Sequence, residues 1–318
     1  MIVATGLTPA WQHILVFDEF ALDAVNRCVE THWTSSGKVL NVAIGLHHLT
    51  KESRVIALVG GQQGREIDGE FEGYGMDRRW VETRASTRVC TTILDRGAEK
   101  RGADASDAGI QVTELVENGP PLEDGDYDRF LATFEEGTED ADVVVIAGSL
   151  PRGTPTSCYR DLMDRCDARV VIDGRGAELL AALPAGPEIV KPNREELERT
   201  LGRAISSEAD LVRAMAEIQS AGAKNVIVSQ GSDALCVLSK SEGFFRVVPP
   251  KIERVCNPIG CGDSMAAGLG WGLSRGDSIE QCARIGVAVS IQNLEQVLPS
   301  RLDPQRALEM AGTYDVTR

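Results

Sequence analysis

The chain has 318 residues, enough for one large α/β domain or two small ones, and its 42% hydrophobic and 25% charged residues have the balance of a soluble globular protein. No basic cluster offsets the formal net charge of -15, which argues against a nucleic-acid partner and means that a few well-placed cations must meet any anionic substrate. No apolar run is long enough to cross a membrane, and no signal-peptide pattern follows Met1, so the sequence predicts a cytoplasmic protein without a membrane partner.

The first half of the chain mixes strands, turns and a glycine-led helix. Its patterns predict, in order, a buried strand at 1–6, a turn at 8–12, an apolar patch at 14–17, exposed β structure at 18–33, a helix after Gly37, a strand at 54–59, and a helix through Ile67 and Phe71. Strands rich in Thr and Val follow at 81–95 and 111–116. The charged segment between them, 96–109, is predicted to be the solvated tip of a hairpin.

The second half alternates short apolar runs rich in Val and Ile with amphipathic helices. Strands are predicted at 142–148, 168–173 and 225–229, and helices at 127–136, after Pro155 and near Leu179. This alternation indicates a mostly parallel sheet with helices on both faces. Because ligands bind outside the carboxyl ends of such strands, we expect one cleft there, lined by the residues that follow the strands: Gly60 and Gly61, Gly148 and Ser149, Asp173 and Gly174, Asn193, and 229–231.

The segment VCNPIGCGDSMAAG at 255–268 predicts a site for phosphoryl transfer. Gly260 and Gly262 flank Cys261, and Asp263 follows where an apolar helix begins. A helix N terminus leaves backbone N–H groups unpaired and attracts a phosphate, while a neighbouring carboxylate can take a proton. The alternative is an ordinary glycine-containing turn in which Asp263 is the N-cap of the helix.

A second phosphate-binding hypothesis concerns Gly60, Gly61 and Gly64, which lie between a predicted strand and a predicted helix. That order invites a dinucleotide-binding interpretation, and with it a nicotinamide-dependent oxidoreductase. The spacing is GGxxG rather than GxGxxG, and no acidic residue closes a clear following strand about 20 residues later. The sequence therefore disfavours this alternative.

Five segments follow one another in the order and spacing of a known family: AGSLPRGTP at 147–155, VIDGRGAELL at 171–180, VKPNREELE at 190–198, VSQGSDAL at 228–235 and NPIGCGDSMAAG at 257–268. Together they resemble the ribokinase-like (PfkB) carbohydrate kinases, with the best match to the bacterial branch that includes 1-phosphofructokinase and tagatose-6-phosphate kinase. The resemblance implies one kinase domain over 1–318 with an α/β fold, in which helices cover both faces of a mostly parallel sheet. It also implies a small β-sheet lid drawn from about 12–35 and 86–117, often a homodimer surface in relatives.

The resemblance further implies that the γ-phosphate of ATP is transferred to a sugar hydroxyl. Asp263 matches the family's catalytic base, and the backbone N–H groups of its anion hole match Gly260, Cys261 and Gly262. Two residues depart from the family pattern, since Cys261 replaces a usual alanine and Pro258 a usual threonine.

Residues near the nucleotide are implied in the same way. Asn193 and Glu196 match the NxxE motif that organises Mg²⁺ and phosphates, with Glu196 acting on the metal through water. The same two residues also suit a helix capping box. Ser229, Gly231 and Asn257 match positions where the family contacts the nucleotide.

The acceptor site combines matches with departures. Lys38 and Arg88 match cations that meet the phosphate already on the sugar. The remaining matches to the acceptor site are Gln12, Gly37, Asn41 and Ser149.

Gln12 stands where the branch usually has an acid that binds sugar hydroxyls, so an uncharged amide with a longer stem takes that place. Ser36 and Val39 replace glycines of a GGKG segment, which predicts a narrower or reshaped pocket. The reaction type is therefore better determined than the substrate.

The leading hypothesis is an ATP- and Mg²⁺-dependent kinase that acts on a ketohexose-phosphate-like acceptor, such as fructose 1-phosphate or tagatose 6-phosphate. One alternative is a kinase for a different small polyol or a nucleoside. Another is a non-catalytic sensor of sugar phosphate or nucleotide, a hypothesis that Gln12 and Val39 motivate and the intact Asp263, Asn193 and Glu196 oppose.

Overall fold

Two β-sheets organise the chain in a computed structural model that describes residues 1–97, 110–252 and 255–318. In chain order the strands are β1 (Ile2–Gly6), β2 (Ala10–Phe17), β3 (Glu30–Ser36), β4 (Ser53–Gly60), β5 (Asp77–Thr83), β6 (Arg88–Asp95), β7 (Gln111–Val116), β8 (Val143–Ala147), β9 (Arg169–Asp173), β10 (Ile189–Val190), β11 (Asn225–Val228), β12 (Leu235–Ser239), β13 (Gly243–Val248) and β14 (Asp315–Thr317). The helices are α1 (Lys38–Leu49), α2 (Gly61–Tyr74), α3 (Asp126–Gly137), α4 (Cys158–Met163), α5 (Gly176–Ala182), α6 (Arg194–Leu201), α7 (Glu208–Ser220), α8 (Cys261–Ser274), α9 (Ile279–Leu294) and α10 (Pro304–Ala311).

The large sheet has ten strands in the order β14-β13-β12-β11-β10-β9-β8-β1-β4-β5. Pairing is parallel from β5 to β11, and the remaining strands add antiparallel. Its central strands are buried on both faces, as β1 and β8 show, because helices cover both sides. One hydrophobic core lies under α1, α2, α8, α9 and α10, and a second lies under α3 to α7. The predicted α/β fold is therefore confirmed.

The small sheet has four strands in the order β3-β2-β6-β7. From Ala10 to Val16, even-numbered residues of β2 are buried and odd-numbered ones are partly exposed, so this sheet has an inner and an outer face. The strand pairings place Gln12, Thr34, Cys90 and Val116 in one row on the inner face. A small second sheet was part of the predicted fold, and its strands fall within 10–36 and 88–116.

Several local predictions were wrong. The predicted turn at 8–12 is shorter, because Ala10 already pairs with Ser36 and Arg88 as the first residue of β2. The predicted strand at 81–95 is two strands in different sheets, β5 and β6, separated by a bend at 84–87. Of the exposed β structure predicted at 18–33, the described strand is β3, which starts at Glu30.

Other predictions remain open. Residues 98–109 of the predicted hairpin tip lie outside the described residues. The assignment of 1–318 to one domain stays a prediction. Across the described ranges, the helices are too short or too polar to cross a bilayer, and the cytoplasmic location stays a prediction from the sequence.

Helix α8 packs closely against its neighbours because glycines line its buried side. A Cβ atom at Gly270 would lie 2.7 Å from Val145 of β8, and one at Gly268 would lie 2.7 Å from Val289 of α9. At Gly272 the same atom would lie 2.8 Å from the sulfur of Cys282. Larger side chains would push the helix away from the sheet and from α9.

Candidate active site

The site is built around the N terminus of α8. Gly260 has φ 88, a left-handed conformation that favours glycine, and a Cβ there would lie 2.8 Å from Pro299. This turn starts the helix at Cys261. Among the described residues, no acceptor lies within hydrogen-bonding distance of the backbone N–H groups of Gly262 and Asp263. These two donors and the helix dipole can therefore bind an anion.

Asp263 lies in the first turn of α8 and is 7% exposed. Asn41 of α1 donates from Nδ2 to Oδ2 of this carboxylate at 2.7 Å. Burial raises the pKa of Asp263, against the opposing charge of Lys38, and the charge of Asp173 adds to the rise. A carboxylate with a raised pKa is a better proton acceptor than an ordinary aspartate.

A cluster of alternating charges lies beside this helix N terminus. Lys38 Nζ donates to Asp173 Oδ1 and to Glu196 Oε1, each at 3.1 Å, and Lys191 Nζ lies 3.4 Å from Asp173 Oδ1. Burial alone would lower the pKa of Lys38, but the charges of Asp173, Glu196 and Asp263 raise it above the ordinary lysine value. Lys38 is therefore a firmly protonated cation at the centre of the site.

Asp173 and Lys191 are buried, with 1% and 2% of their surface exposed. Burial would raise the pKa of Asp173, but Lys191 and Lys38 lower it, so this carboxylate is ionised. Its Oδ2 atom has no partner in the part of the chain that the structure describes. Lys191 Nζ lies 3.5 Å from where a Cβ of Gly262 would be, which places its charge at the helix N terminus.

Asn193 and Glu196 form the capping box of α6. Asn193 Oδ1 accepts from the Glu196 N–H at 2.8 Å, and Glu196 Oε2 accepts from the Asn193 N–H at 3.0 Å. The other oxygen of Glu196 accepts from Lys38. The helix cap and the charge cluster thus share one carboxylate.

The other residues matched to the nucleotide site have different environments. Ser229 pairs with Asn193 in an isolated parallel bridge, which holds the end of β11 beside the start of α6. Gly231 follows with φ 65, and a Cβ there would meet no atom within 4 Å, so this turn borders open space. Asn257 is instead 1% exposed, donating to the carbonyl of Val297 and accepting from the N–H of Ile259. Its side chain shapes the turn before α8 from inside the protein.

The side chain of Cys261 points away from the anion-binding N–H groups and toward α9. Its thiol donates to the carbonyl of Ser290 at 3.6 Å and accepts from Asn293 Nδ2 at 3.3 Å. Burial raises the pKa of Cys261 to about 12. Cys261 is therefore a neutral thiol, and its backbone is the part that belongs to the turn.

Three of the residues matched to the acceptor site, Arg88, Gly37 and Ser149, lie around Thr8 and Pro9. The guanidinium of Arg88 donates to the carbonyls of Pro9 at 3.4 Å, Glu117 at 3.1 Å and Thr8 at 3.2 Å. No carboxylate of the described residues forms a salt bridge with Arg88. Arg88 is thus a positioned cation without a carboxylate partner in the described ranges.

Thr8 joins this group to the charge cluster. Its hydroxyl donates to the carbonyl of Ser149 at 2.7 Å and lies 3.1 Å from the Ser149 hydroxyl. Gly37 packs against the same loop, since a Cβ there would lie 2.7 Å from the Thr8 carbonyl. A Cβ at Gly148 would lie 3.3 Å from the Thr8 hydroxyl and 3.9 Å from Cβ of Lys38.

Gln12 is 4% exposed on the inner face of the small sheet. Its Nε2 donates to the hydroxyl of Thr92 at 2.7 Å. The amide nitrogen of Gln12 is therefore already hydrogen-bonded within the small sheet.

The glycines of the dinucleotide hypothesis are covered by protein. A Cβ at Gly60 would lie 2.1 Å from the carbonyl oxygen of Ala85, and one at Gly61 would lie 2.2 Å from the hydroxyl of Ser86. The bend between β5 and β6 occupies the space that a pyrophosphate would need. Gly60 and Gly61 were thus wrongly expected to line the cleft.

Sequence reasoning assigned no role to Lys191 and none beyond lining the cleft to Asp173. Both residues stood within the quoted segments VKPNREELE and VIDGRGAELL, each at the carboxyl end of an apolar strand. A charged residue directly after a run of Val and Ile was the available signal, because such a residue cannot stay buried without a partner. The structure supplies that partner by bringing the two strand ends together.

Comparisons with known proteins agree with this architecture. A family model described as pfkB family carbohydrate kinase matches residues 1–305. The chain is 30% identical over 292 residues to a 1-phosphofructokinase of Bacillus subtilis (strain 168), which covers 90% of each sequence. It also resembles the structure of phosphofructokinase-2 from Escherichia coli in complex with fructose-6-phosphate, with 25% identity, a TM-score of 0.83 and 98% of each chain covered. Ribokinase of Arabidopsis thaliana, solved with ribose and ATP, shares the fold at 18% identity and a TM-score of 0.73, with 98% of each chain covered.

Proposed function

The chain belongs to the pfkB family of carbohydrate kinases, and we propose that it transfers the γ-phosphate of ATP to a hydroxyl of a ketohexose phosphate. The leading acceptors are fructose 1-phosphate and tagatose 6-phosphate. The B. subtilis relative, a 1-phosphofructokinase, supports the first of these. A different small polyol or a nucleoside is the competing acceptor class.

The position of Asp263 is the observation that carries this proposal. Its carboxylate lies at the same helix N terminus as the N–H groups of Gly262 and Asp263, which have no acceptor in the described part of the chain. A hydroxyl that approaches a phosphoryl group held there therefore meets a proton acceptor. Asn41 adds an oriented amide. Its Oδ1 has no partner among the described residues and can accept a hydrogen bond from a hydroxyl of the sugar phosphate.

The reaction is an in-line displacement. The acceptor oxygen forms a bond to the γ-phosphorus while the bond to the oxygen that bridges the β- and γ-phosphates breaks, and ADP leaves. Asp263 takes the hydroxyl proton. The two backbone N–H groups, with the ammonium groups of Lys191 and Lys38, stabilise the negative charge on the migrating group. Positioned donors of this kind need no reorganisation as the charge develops.

Mg²⁺ fits the carboxylates of Asp173 and Glu196. Asp173 Oδ2 is a buried carboxylate oxygen without a partner among the residues described, and the carboxylate of Glu196 also accepts from Lys38. Among the described residues, no group of three acidic, His or Cys side chains could hold a metal by itself. That suits Mg²⁺, which keeps several waters and binds one or two carboxylates together with phosphates. When bound, it would neutralise phosphate charge.

The phosphate already on the acceptor is assigned to Arg88. Its guanidinium is oriented by three carbonyls and has no carboxylate partner in the described part of the chain, so a dianion can take its remaining donors. Lys38 is held by Asp173 and Glu196, beside Asp263. We therefore propose that Lys38 binds the phosphoryl group that is transferred, and not the phosphate already on the acceptor.

A phosphorylation screen tests the proposal. Purified protein with ATP and Mg²⁺ is assayed for ADP release on hexose 1- and 6-phosphates, the free sugars and nucleosides, with Asp263→Asn as the inactive control. We expect turnover on a ketohexose phosphate that exceeds turnover on its unphosphorylated sugar. A free sugar or nucleoside as the best acceptor contradicts the proposed substrate class, and binding without turnover on every compound supports the sensor instead.

The outer face of the small sheet supports a homodimer through the lid. His13 stacks on Trp33 with ring centroids 4.0 Å apart, and Trp11 lies 6.1 Å from the same ring. Trp33 is 49% exposed and Leu115, in the same row of the sheet, is 57% exposed. An apolar sheet face of this kind is stabilised when a second copy covers it.

Light scattering after gel filtration tests the dimer. Wild type is expected to be dimeric and Trp33→Glu monomeric, because the new charge would be buried in the interface. Leu180→Glu on α5, another exposed apolar residue, is the matched control and is expected to stay dimeric. A monomeric wild type, or a dimeric Trp33→Glu variant, contradicts this part of the proposal.

A further inference from the structure

Glu114 of β7 lies on the inner face of the small sheet. It pairs directly with Thr92 of β6, and residues opposite each other in an antiparallel pair share a face. Thr92 in turn accepts the amide of Gln12 on that face. Glu114 thus lies on the side of the lid that carries the buried Gln12.

The carboxylate of Glu114 has no hydrogen-bond or ion-pair partner among the described residues. Glu30 is the other acidic residue on the inner face, because it pairs with the buried Val16. It forms a salt bridge with Arg96 at 2.9 Å. Gln12 donates to Thr92, and Arg88 donates to three carbonyls without forming a salt bridge with Glu114. Within the described ranges, Glu114 is thus a carboxyl group without a partner on the inner face of the small sheet.

Two charges act on Glu114, that of Asp263 on α8 and that of Arg88 on the neighbouring strand β6. Partial desolvation raises the pKa of Glu114, the charge of Asp263 raises it further, and the charge of Arg88 opposes both. The inner face of the small sheet also packs on the turn before α8, because Ile14 and Val16 cluster with Val255 and Val297. An acceptor that extends from Arg88 on β6 to Asp263 on α8 would therefore lie on the side of the small sheet that carries Glu114.

Building on the proposed function, we propose that Glu114 determines acceptor specificity by accepting hydrogen bonds from hydroxyls of the acceptor that do not react. A carboxylate has two oxygens that only accept, which matches neighbouring hydroxyls of a sugar. The same charge repels a phosphate, so it disfavours the reversed orientation of the acceptor. The site thereby selects polyhydroxylated phosphates over phosphates that lack hydroxyls in the middle of the molecule.

Kinetics on fructose 1-phosphate and its 3-deoxy and 4-deoxy analogues test this role, or on the tagatose 6-phosphate series if that sugar is the better acceptor in the screen. Glu114→Gln is expected to raise the acceptor KM about 10-fold and Glu114→Ala about 100-fold, because a hydrogen bond to a charged group is lost. The KM for ATP should stay unchanged, and kcat should stay within about 3-fold of wild type. Removing the hydroxyl that donates to Glu114 should raise the acceptor KM of the wild type. The same removal should change the acceptor KM of Glu114→Ala little.

Glu136→Gln is the matched control, since it removes the same charge from an exposed position on α3. Thermal unfolding checks that both Glu114 variants are folded. An unchanged acceptor KM in both, or a deoxy penalty as large in Glu114→Ala as in wild type, overturns the inference while the kinase assignment stands. A wild type that turns over no acceptor overturns the proposed function, and this inference with it.

Discussion

Replacing Asp263 by asparagine separates its part in catalysis from its part in stability. The amide keeps the shape of the carboxylate, and its oxygen can still accept from Asn41, which now donates at 2.7 Å. It cannot take a proton from the acceptor hydroxyl. Loss of a positioned base lowers kcat by about 10² to 10⁴, which is about 2.7 to 5.4 kcal/mol of barrier at 1.36 kcal/mol per tenfold.

The same substitution is expected to stabilise the fold at neutral pH. Because the pKa of Asp263 is raised in the folded state, folding favours its protonated form, and that contribution to stability is lost as pH rises above the unfolded-state value of about 4. Asparagine avoids the burial of a charge, while Lys38 keeps its contacts with Asp173 and Glu196. We expect a gain of about 0.5–2 kcal/mol at pH 7 that disappears near pH 4.

Three measurements check this prediction. Steady-state ADP release gives kcat, calorimetry with ATP alone gives nucleotide affinity, and urea unfolding at pH 4 and pH 7 gives the free energy of unfolding. Glu136→Gln on the surface of α3 is the control for the lost charge. Turnover within about 10-fold of wild type would refute the role of Asp263 as the base. A variant less stable than wild type at pH 7 would refute the reasoning about its burial.

Other substitutions test the remaining parts of the site. Arg88→Gln is expected to lower kcat/KM for a phosphorylated acceptor by about 10- to 100-fold and to change that for the free sugar by less than about 3-fold, since the free sugar has no phosphate to lose; kinetics on both acceptors decide this. Asp173→Asn is expected to destabilise the protein by about 3–5 kcal/mol in urea unfolding, because it leaves buried ammonium charge without its carboxylate. Since folding depresses the pKa of Asp173, this difference is expected to shrink as pH falls below about 4. Gly260→Ala is expected to cost about 1–3 kcal/mol, because its φ of 88 strains any other residue. Gly69→Ala on α2, where a Cβ meets nothing within 4 Å, is the control and is expected to gain about 0.5–1 kcal/mol in thermal unfolding.

The sequence predicted correctly those helices and strands whose hydrophobic pattern matches their burial in the fold. The Val- and Ile-rich runs of β1 and β8 are buried strands, and the helix after Gly37 begins at Lys38. The prediction of one strand at 81–95 was wrong because Val and Thr occur both at the end of β5 and in β6, although these strands belong to different sheets. The composition of a strand does not determine which sheet it joins.

The site divides in a similar way. The sequence located Asp263 and its glycine turn because their spacing itself creates the helix N terminus. It could not show that Asp173 lies between Lys38 and Lys191, because those residues come together through tertiary packing. Glu114 was missed because an acidic residue in an exposed strand is ordinarily a solvated one.

The glycines that let α8 lie close to β8 and α9 extend the region where activity can be lost. Gly272 is nine residues beyond Asp263, roughly 13 Å along the helix axis, and is tightly packed against Cys282. A methyl group at Gly272 would displace helix α8 as a whole, and the carboxylate of Asp263 at its other end would move with it. Loss-of-function substitutions are therefore expected at the buried contacts between α8, β8 and α9 as well as at the substrate-binding residues.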